Sequence, residues 1–162
     1  MAKVIAHIDL NAFFVRAEEI KNPSLVGKCV AIGHLGRAGI VSTCSYKARE
    51  YGVRSGMPMN KAVVLCPELI IIPGDYKYYS KLSRAFIAYT KRFTPLVEQA
   101  SVDECYADFT EQIKKASDPI KFFKDFQEGL FKETKLYCSI GVSITKFLAK
   151  MGSDFKKPNG LT

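Results

Sequence analysis

The sequence predicts an α+β fold of the ferredoxin-like type, in which helices pack on one face of a sheet. From residue 76 onward, segments typical of helices and strands follow in the order helix, strand, strand, helix, strand, helix. An apolar run at the N-terminus supplies one more strand. Residues 12–75 hold shorter and more broken segments, which indicates an insertion between the first strand and the first long helix. The length of 162 residues suits one domain with such an inserted subdomain.

Strands are predicted where short apolar runs are bounded by turn residues. In chain order these runs are Lys3–Leu10, Cys29–Ile32, Ile40–Cys44, Leu69–Ile72, Leu96–Ala100, Glu104–Asp108 and Leu136–Val142. Three glycines, Gly33, Gly36 and Gly39, indicate a turn between the second and third runs.

Helices are predicted where apolar residues recur at three- and four-residue spacing, or where capping residues mark a start. They cover Ala12–Lys21, Ser45–Tyr51, Met59–Leu65, Tyr76–Phe93, Pro119–Thr134 and Thr145–Ser153. Asn11 is the predicted cap of the first helix. The first long helix carries an apolar stripe that we expect in the core, namely Tyr79, Leu82, Phe86, Tyr89 and Phe93. The stripe of the second long helix is Ile120, Phe123, Phe126 and Leu130.

The composition is that of an ordinary globular protein, with 48% hydrophobic and 25% charged residues. This excludes a disordered tail, a collagen-like repeat and a coiled coil. The longest aliphatic run, Leu69–Ile72, is too short to span a bilayer, and the N-terminus lacks the apolar region of a signal peptide. We therefore expect a cytoplasmic protein without a membrane partner. The net charge of +8 favours an anionic partner, nucleic acid ahead of a membrane surface.

The sequence contains an odd number of cysteines and no CxxC pair. The five cysteines are Cys29, Cys44, Cys66, Cys105 and Cys138. We expect buried, reduced thiols. A soft-metal site and a redox pair remain the functional alternatives. Only His7 and His34 could join a zinc site, and neither lies near a second cysteine at ligand spacing.

Three acidic residues lie where strands begin or end. Asp9 lies near the end of an otherwise apolar strand, and Asp103 and Glu104 lie at the turn between two predicted strands. Carboxylates gathered at one sheet edge would repel one another, and a divalent cation would remove that repulsion. Oxygen ligands without His or Cys suit Mg²⁺, and two ions could activate a hydroxyl and stabilise a leaving group. Alternatively, Asp9 caps a helix and the other two form a solvated turn; the residues alone leave both readings open.

A second group of candidates is basic or phenolic. Tyr46 and Arg49 lie three residues apart on one face of a short helix, Lys157 is in a late turn, and Lys146 and Lys150 share a helix face. Such groups converging on a triphosphate would complement the metal ions. The alternative is solvated surface charge.

Taken together, these residues resemble the Y-family (DinB/UmuC-type) translesion DNA polymerases. The similarity extends over essentially the whole chain, in the family's order. The matching stretches are His7–Phe14 (HIDLNAFF), Cys44–Val53 (CSYKAREYGV), Arg54–Met59 (RSGMPM), Ala100–Tyr106 (ASVDECY), Ser139–Ser143 (SIGVS), Lys146–Lys150 (KFLAK) and Lys157–Gly160 (KPNG).

The resemblance implies a role for each matched residue. It implies two Mg²⁺ ions held by Asp9, Asp103 and Glu104 with the backbone carbonyl of Leu10. It implies that Phe14 is the steric gate, a ring under the sugar that disfavours a 2′-hydroxyl. The implied nucleotide contacts are Phe13, Phe14, Thr43, Tyr46, Arg49 and Lys157.

The resemblance also implies a domain organisation and a set of partners. Residues 1–12 and 76–162 would be the palm and residues 13–75 the fingers, whereas the family's thumb and little finger are not found in this sequence. The implied reaction is nucleotidyl transfer from a dNTP to a primer 3′-hydroxyl on template DNA, in repair and damage-tolerant replication. A sliding clamp would bind through the missing regions. The alternatives are a non-catalytic DNA- or partner-binding module and a nucleotide-cyclase-like palm enzyme.

Overall fold

Strands and helices follow one another along the chain largely as predicted, and the computed structural model describes all of residues 1–162. The strands are β1 (Ile5–Leu10), β2 (Val30–Ile32), β3 (Thr43–Cys44), β4 (Ile70–Ile72), β5 (Val97–Gln99), β6 (Glu104–Asp108) and β7 (Cys138–Ser143). The helices are α1 (Phe13–Lys21), α2 (Tyr46–Glu50), α3 (Met59–Leu65), α4 (Tyr76–Lys91), α5 (Thr110–Lys115), α6 (Pro119–Thr134) and α7 (Lys146–Phe155). A 3-10 turn at Pro23–Leu25 and helix α5 were not predicted.

The chain divides into two compact units. The first, which we call the sheet unit, comprises Met1–Asn11 and Ser80–Thr162. The second, which we call the inserted unit, comprises Ala12–Tyr79. The names palm and fingers stay predictions for these two parts of the chain.

The sheet unit is built on an antiparallel sheet with the strand order β5-β6-β1-β7. Its first strand β1 is central, and both of its faces are covered: Ala6, Ile8 and Leu10 are buried on one face and His7 is buried on the other. The sheet order, with the first strand between the third and fourth strands of the unit, is that of a split βαβ arrangement. The predicted ferredoxin-like α+β class is therefore confirmed.

Aromatic side chains join the long helices to the sheet. Tyr89 of α4 and Phe126 of α6 meet with ring centroids 5.0 Å apart, and the Tyr89 hydroxyl donates to the Phe126 carbonyl at 3.0 Å. Phe109 packs edge-on against Phe123 at 5.3 Å. Three of the four residues in the predicted α6 stripe are buried, whereas Ile120 is 63% exposed. Ile120 lies in the first turn of α6, which extends beyond the core.

Helix α7 lies against β7 because a glycine permits close approach. A Cβ built on Gly141 would lie 1.9 Å from the carbonyl oxygen of Ala149, a distance that no side chain tolerates. The contact brings α7 over the strand next to β1. As a result, the basic residues of α7 lie near the end of β1, where the acidic residues are.

The inserted unit contains a three-stranded sheet in the order β3-β2-β4, with β2 antiparallel to β3 and parallel to β4. Strand β2 is buried throughout, and Val15 of α1 packs with Val30 and Ile32 on one side of it. On the other side Ala31 packs with Met59 of α3, among other residues. Two small cores therefore hold this sheet in place.

The cap predicted for the first helix is wrong. Asn11 does not cap α1: the cap residue is Ala12, which has a left-handed backbone (φ 42°, ψ 53°) and makes no side-chain cap bond. The cap of α2 is Ser45, whose hydroxyl oxygen accepts from the amide of Ala48 at 3.2 Å.

The five cysteines are unpaired and buried, as predicted. The structure contains no helix with both the length and the apolar character needed to cross a membrane.

Candidate active site

The three predicted acidic residues meet at one end of the sheet unit. Asp9 and Glu104 are direct partners across β1 and β6, so their side chains lie on the same face. Next to them, the amide of Leu10 donates to the carbonyl of Asp103 at 2.8 Å, which holds the turn before β6 against the end of β1. The antiparallel register thus joins residues that lie about 95 positions apart in the chain.

Asp9 is paired with a lysine from the end of the chain. The ammonium of Lys157 lies 2.8 Å from Asp9 Oδ2 and 2.8 Å from Asp154 Oδ1. Burial raises the pKa of Asp9 to about 6, even though Lys157 acts in the opposite direction, and the charges of Asp103 and Glu104 add to the rise. One ammonium shared between two carboxylates therefore leaves this end of the sheet with surplus negative charge.

Glu104 contacts α7 and a buried histidine. The ammonium of Lys150 donates to Glu104 Oε1 at 3.2 Å, and His7 Nε2 lies 3.7 Å from the same oxygen. The Ser153 hydroxyl donates to the Lys150 carbonyl at 2.8 Å, so its oxygen accepts from Nδ1–H of His7 at 2.6 Å. Burial lowers the pKa of His7, and the neutral ring leaves Nε2 without a hydrogen bond. No pattern in the sequence indicates this contact, because His7 lies within an apolar strand.

Asn11 connects the end of β1 with the turn that carries Lys157. Its side-chain nitrogen donates to Ser139 Oγ at 2.9 Å, and its side-chain oxygen accepts from the amide of Asn159 at 3.0 Å. Asn11 is buried, so these bonds are shielded from water. The side chain predicted to cap a helix therefore positions the lysine turn instead.

Asp103 and Lys146 are the remaining candidates of the sheet unit, and each has a polar partner of its own. Asp103 Oδ1 accepts from the Ser101 hydroxyl at 2.8 Å in the exposed turn before β6. Lys146 pairs with Glu98 of β5 and not with the three acidic residues. Of the two lysines that share the α7 face, only Lys150 therefore contacts the acidic cluster.

The inserted unit brings together the predicted phosphate contacts of α2. The guanidinium of Arg49 lies over the Tyr46 ring, 4.3 Å from its centroid, and Arg49 Nε donates to the Cys44 carbonyl at 3.3 Å. Thr43 lies just before, in β3, and is half-buried. The three candidates are thus grouped along the β3–α2 connection, and Arg49 makes no ion pair with a carboxylate within 4.0 Å.

Phe14 of α1 rests on a second aromatic ring. It stacks on Tyr79, with centroids 4.4 Å apart and planes inclined by 16°, and the Tyr79 hydroxyl donates to Glu18 Oε1 at 2.7 Å. Glu18 is itself buried and pairs with Lys21 at 3.2 Å. Phe13 is 3% exposed and packs in the core, so of the two neighbouring rings Phe14 is the one open to a ligand. The support from Tyr79 and Glu18 could not be read from the sequence.

Comparison with known proteins gives consistent results. A family model described as the impB/mucB/samB family matches residues 8–154. DNA polymerase IV of Lactococcus lactis subsp. cremoris is 47% identical over 165 aligned residues, which cover 99% of this chain and 45% of the relative. DNA polymerase IV of Streptococcus pyogenes serotype M5 is 45% identical with the same coverage. The chain thus spans less than half the length of these curated relatives.

Solved structures show the same fold. An insertion ternary complex of Dbh DNA polymerase matches with a TM-score of 0.91 and 30% identity, covering 98% of this chain and 47% of that one. DinB from Sulfolobus solfataricus matches with a TM-score of 0.91 and 31% identity at the same coverage. Fold and acidic cluster therefore define an α+β domain of the Y-family polymerase type. The chain belongs to the impB/mucB/samB family, and the resemblance predicted from its motifs is confirmed.

Proposed function

We propose that this chain is the catalytic part of a translesion DNA polymerase that transfers a nucleotide from a dNTP to a primer 3′-hydroxyl, with release of pyrophosphate. The observation that carries the proposal is the pairing of Asp9 with Glu104 across two central strands, with Asp103 beside them. The names of the relatives, DNA polymerase IV, support the same reaction class. Nucleotidyl transfer of this kind depends on positioning and charge stabilisation more than on covalent catalysis.

The acidic cluster suits a hard divalent cation. Its donors are carboxylate oxygens, to which we add the backbone carbonyl of Leu10, and no thiol lies among them. Burial raises the pKa of Asp9, the charges of Asp103 and Glu104 add to the rise, and a bound cation would favour the charged carboxylate. We therefore assign two Mg²⁺ ions to Asp9, Asp103, Glu104 and Leu10. When bound, these ions would lower the pKa of the attacking hydroxyl and stabilise charge on the leaving pyrophosphate.

The side chains of the protein would bind and orient the nucleotide. In the inserted unit, Arg49 offers a guanidinium and Tyr46 a hydroxyl to phosphate oxygens, and we place Thr43 near the phosphates or the templating base pair. In the sheet unit, Lys157 would exchange its carboxylate partners for a phosphate. Phe14 would lie under the sugar and exclude a 2′-hydroxyl, supported from behind by Tyr79.

The proposed partners follow from this chemistry and from the relatives. A primer–template duplex is the expected macromolecular partner, since the net charge of +8 favours a polyanion. Contact with a sliding clamp is proposed only through parts of the relatives that this chain does not cover. The cytoplasm, where five unpaired cysteines stay reduced, is the proposed compartment.

Primer extension tests the proposal. This chain and a longer chain that also covers the remaining length of the relatives would be assayed with Mg²⁺ and dNTPs, alongside Asp9→Asn, Glu104→Gln and the control Asp125→Asn. Asp125 is exposed on α6 and pairs only with Lys121. We expect the longer chain to extend a primer, with a loss of at least about a hundredfold in Asp9→Asn and Glu104→Gln.

The control variant should keep the activity of the parent. Full activity in Asp9→Asn would contradict the proposed site. Absence of extension by a folded longer chain that binds DNA would favour a non-catalytic module instead.

A further inference from the structure

A second group of ligand-type side chains lies in the inserted unit, among residues that the proposed reaction does not use. Cys29 directly precedes β2, Cys66 ends α3, and Glu68 lies in the turn before β4. The ligand atoms of these three residues all lie within 4.8 Å of one another. No spacing motif in the sequence joins Cys29 with Cys66, which are 37 positions apart.

The backbone brings the three residues together. Because β2 and β4 are parallel and Val30 is opposite Ile70, both strands start at the same edge of the sheet. The amide of Ile70 donates to the Cys29 carbonyl at 2.8 Å, which fixes the two strand starts. The amide of Leu69 donates to the Cys66 carbonyl at 3.0 Å, so the turn that carries Glu68 folds back over the end of α3.

The separations suit a tetrahedral ion. Bonds of about 2.3 Å from Zn²⁺ to sulfur and about 2.1 Å to oxygen place two sulfurs roughly 3.8 Å apart and a sulfur and an oxygen roughly 3.6 Å apart. Cys29 Sγ lies 3.8 Å from Glu68 Oε1, and the limit of 4.8 Å leaves only a small contraction for the other pairs.

The group formed by Cys29, Cys66 and Glu68 faces the protein core on one side and solvent on the other. Cys66 is fully buried and Cys29 is 4% exposed, both within an apolar cluster that includes Ala31 and Met59. Glu68 is exposed, and its carboxylate raises the pKa of the nearby Tyr51 hydroxyl to about 12. Two sulfurs anchored in a core and one carboxylate facing solvent leave a fourth position for water, and Tyr51 would orient the carboxylate as an outer partner.

We propose that Cys29, Cys66 and Glu68 form a site for a thiophilic divalent cation of the Zn²⁺ type, separate in donor chemistry from the all-oxygen cluster at Asp9. Thiolate sulfur selects soft and borderline ions, whereas the acidic cluster selects hard ones. The bound ion would tie the start of β2 to the end of α3 and so brace the small sheet of the inserted unit. This inference does not depend on the polymerase reaction.

Cobalt substitution tests the site directly. The whole chain, reduced and stripped of metal, is titrated with Co²⁺, whose bonds to thiolate give a near-ultraviolet charge-transfer band. Zn²⁺ is then added in competition. The variants are Cys29→Ser, Cys66→Ser and Glu68→Gln, and the matched control is Cys44→Ser. Cys44 is also fully buried in the inserted unit, but its thiol donates to the Val53 carbonyl at 3.6 Å.

We expect a band that saturates at one equivalent of Co²⁺, that disappears when Zn²⁺ is added, and that persists in Cys44→Ser. Cys29→Ser and Cys66→Ser should lose the band. Glu68 is exposed, so Glu68→Gln should fold like the parent and should bind Co²⁺ at least about tenfold more weakly. Zn²⁺ should raise the melting temperature of the parent and of Cys44→Ser more than that of Glu68→Gln, and should leave that of the two cysteine ligand variants unchanged. A parent without the band, or Co²⁺ affinity unchanged in Glu68→Gln and Cys29→Ser, would overturn the proposal. Equally, oxidation of Cys29 and Cys66 to a disulfide without any metal binding under reduction would overturn it in favour of a redox pair.

Discussion

The ammonium of Lys157 lies 2.8 Å from the carboxylate of Asp9, although the two residues are 148 positions apart in the chain. Burial lowers the pKa of Lys157, but its hydrogen bonds with Asp154 and Asp9 outweigh burial and raise it, so the ammonium stays charged. Lys157 therefore serves as a counter-ion at the end of β1. We infer that its flexible side chain turns to a phosphate once cations occupy the acidic cluster.

Replacing Asp9 should stabilise the metal-free chain near neutral pH. The pKa of Asp9 is about 6 in the folded state, against an ordinary value of 3.8, so above pH 6 the folded state carries a charge that its burial disfavours. This rise in pKa destabilises the folded state by about 3 kcal/mol at pH 7.5 and by about 1 kcal/mol at pH 4.5. We expect Asp9→Asn to raise the free energy of unfolding by about 2–3 kcal/mol at pH 7.5, and by about 1 kcal/mol at pH 4.5.

Urea denaturation of parent and variant at the two pH values, without divalent cations, measures this difference. The control Asp125→Asn removes an exposed carboxylate and should change stability by less than about 0.5 kcal/mol at both values. Added Mg²⁺ should stabilise the parent and reduce the advantage of Asp9→Asn. A variant less stable than the parent at pH 7.5 would show that the Lys157 pair outweighs the burial of Asp9.

Nucleotide binding should depend on Arg49 and on Lys157. A charge-assisted hydrogen bond contributes about 1.5–3 kcal/mol, so each single alanine variant should bind dNTP with Mg²⁺ at least about tenfold more weakly. The double variant Arg49→Ala with Lys157→Ala should lose about a hundredfold or more. Isothermal titration calorimetry on the 162-residue chain, with and without Mg²⁺, provides the measurement.

Neighbouring lysines provide matched controls for this loss. Lys47 lies in α2, two positions before Arg49, and pairs with Glu50. Lys156 is exposed and directly precedes Lys157. Alanine at either position removes the same charge and should change the affinity less than about twofold. Equal losses in these controls would indicate a non-specific effect of net charge, and an unaffected double variant would exclude the proposed contacts.

Sugar selection should depend on the ring of Phe14. In a polymerase-competent longer chain, Phe14→Ala should raise ribonucleotide incorporation at least about tenfold and affect dNTP incorporation much less, because a missing ring opens space for the 2′-hydroxyl. Phe14→Tyr keeps the ring on Tyr79 and should retain discrimination. Single-nucleotide insertion kinetics with rNTP and dNTP give both numbers. Equal discrimination in Phe14→Ala and the parent would mean that another residue excludes the hydroxyl.

Elements with strong periodicity or clear start signals were predictable from the sequence. The bounds of α6, Pro119–Thr134, and of α3, Met59–Leu65, agree with the structure, because proline suits a first helical turn and both segments carry regular apolar positions. Helix α5 was missed because only Ile113 of its six residues is buried, which leaves no stripe to detect. The prediction that Asn11 caps α1 was wrong because its side chain forms hydrogen bonds with Ser139 and Asn159, which are distant in the sequence.

The candidate site was predictable in its residue types but not in its contacts. Carboxylates at strand ends suggested a metal site, yet only the register of β1 and β6 shows that Asp9 faces Glu104. The pairing of Lys157 with Asp9 depends on the Asn159 turn, which no local pattern reveals. Likewise, Cys29 and Cys66 meet only because β2 and β4 start at the same sheet edge.

Binding of this chain to duplex DNA should be weak and governed by salt. Affinity for DNA comes largely from phosphate contacts, and each contact adds about −0.9 to the slope of log affinity against log salt concentration. The chain spans less than half the length of its relatives, so by itself it offers fewer contacts than they do. The net charge of +8 still favours association. We expect a slope between about −2 and −5, little sequence preference, and at best slow, distributive primer extension.

Fluorescence anisotropy with a labelled primer–template at several salt concentrations measures the slope, and an unrelated duplex of equal length tests sequence preference. A longer chain covering the remaining length of the relatives is the comparison, and should bind more tightly with a steeper slope, because it adds phosphate contacts. Lys121→Ala, which removes an exposed charge already paired with Asp125 on α6, should leave the slope nearly unchanged. Tight duplex binding that is insensitive to salt would contradict this account, because it would require base or apolar contacts in place of phosphate contacts.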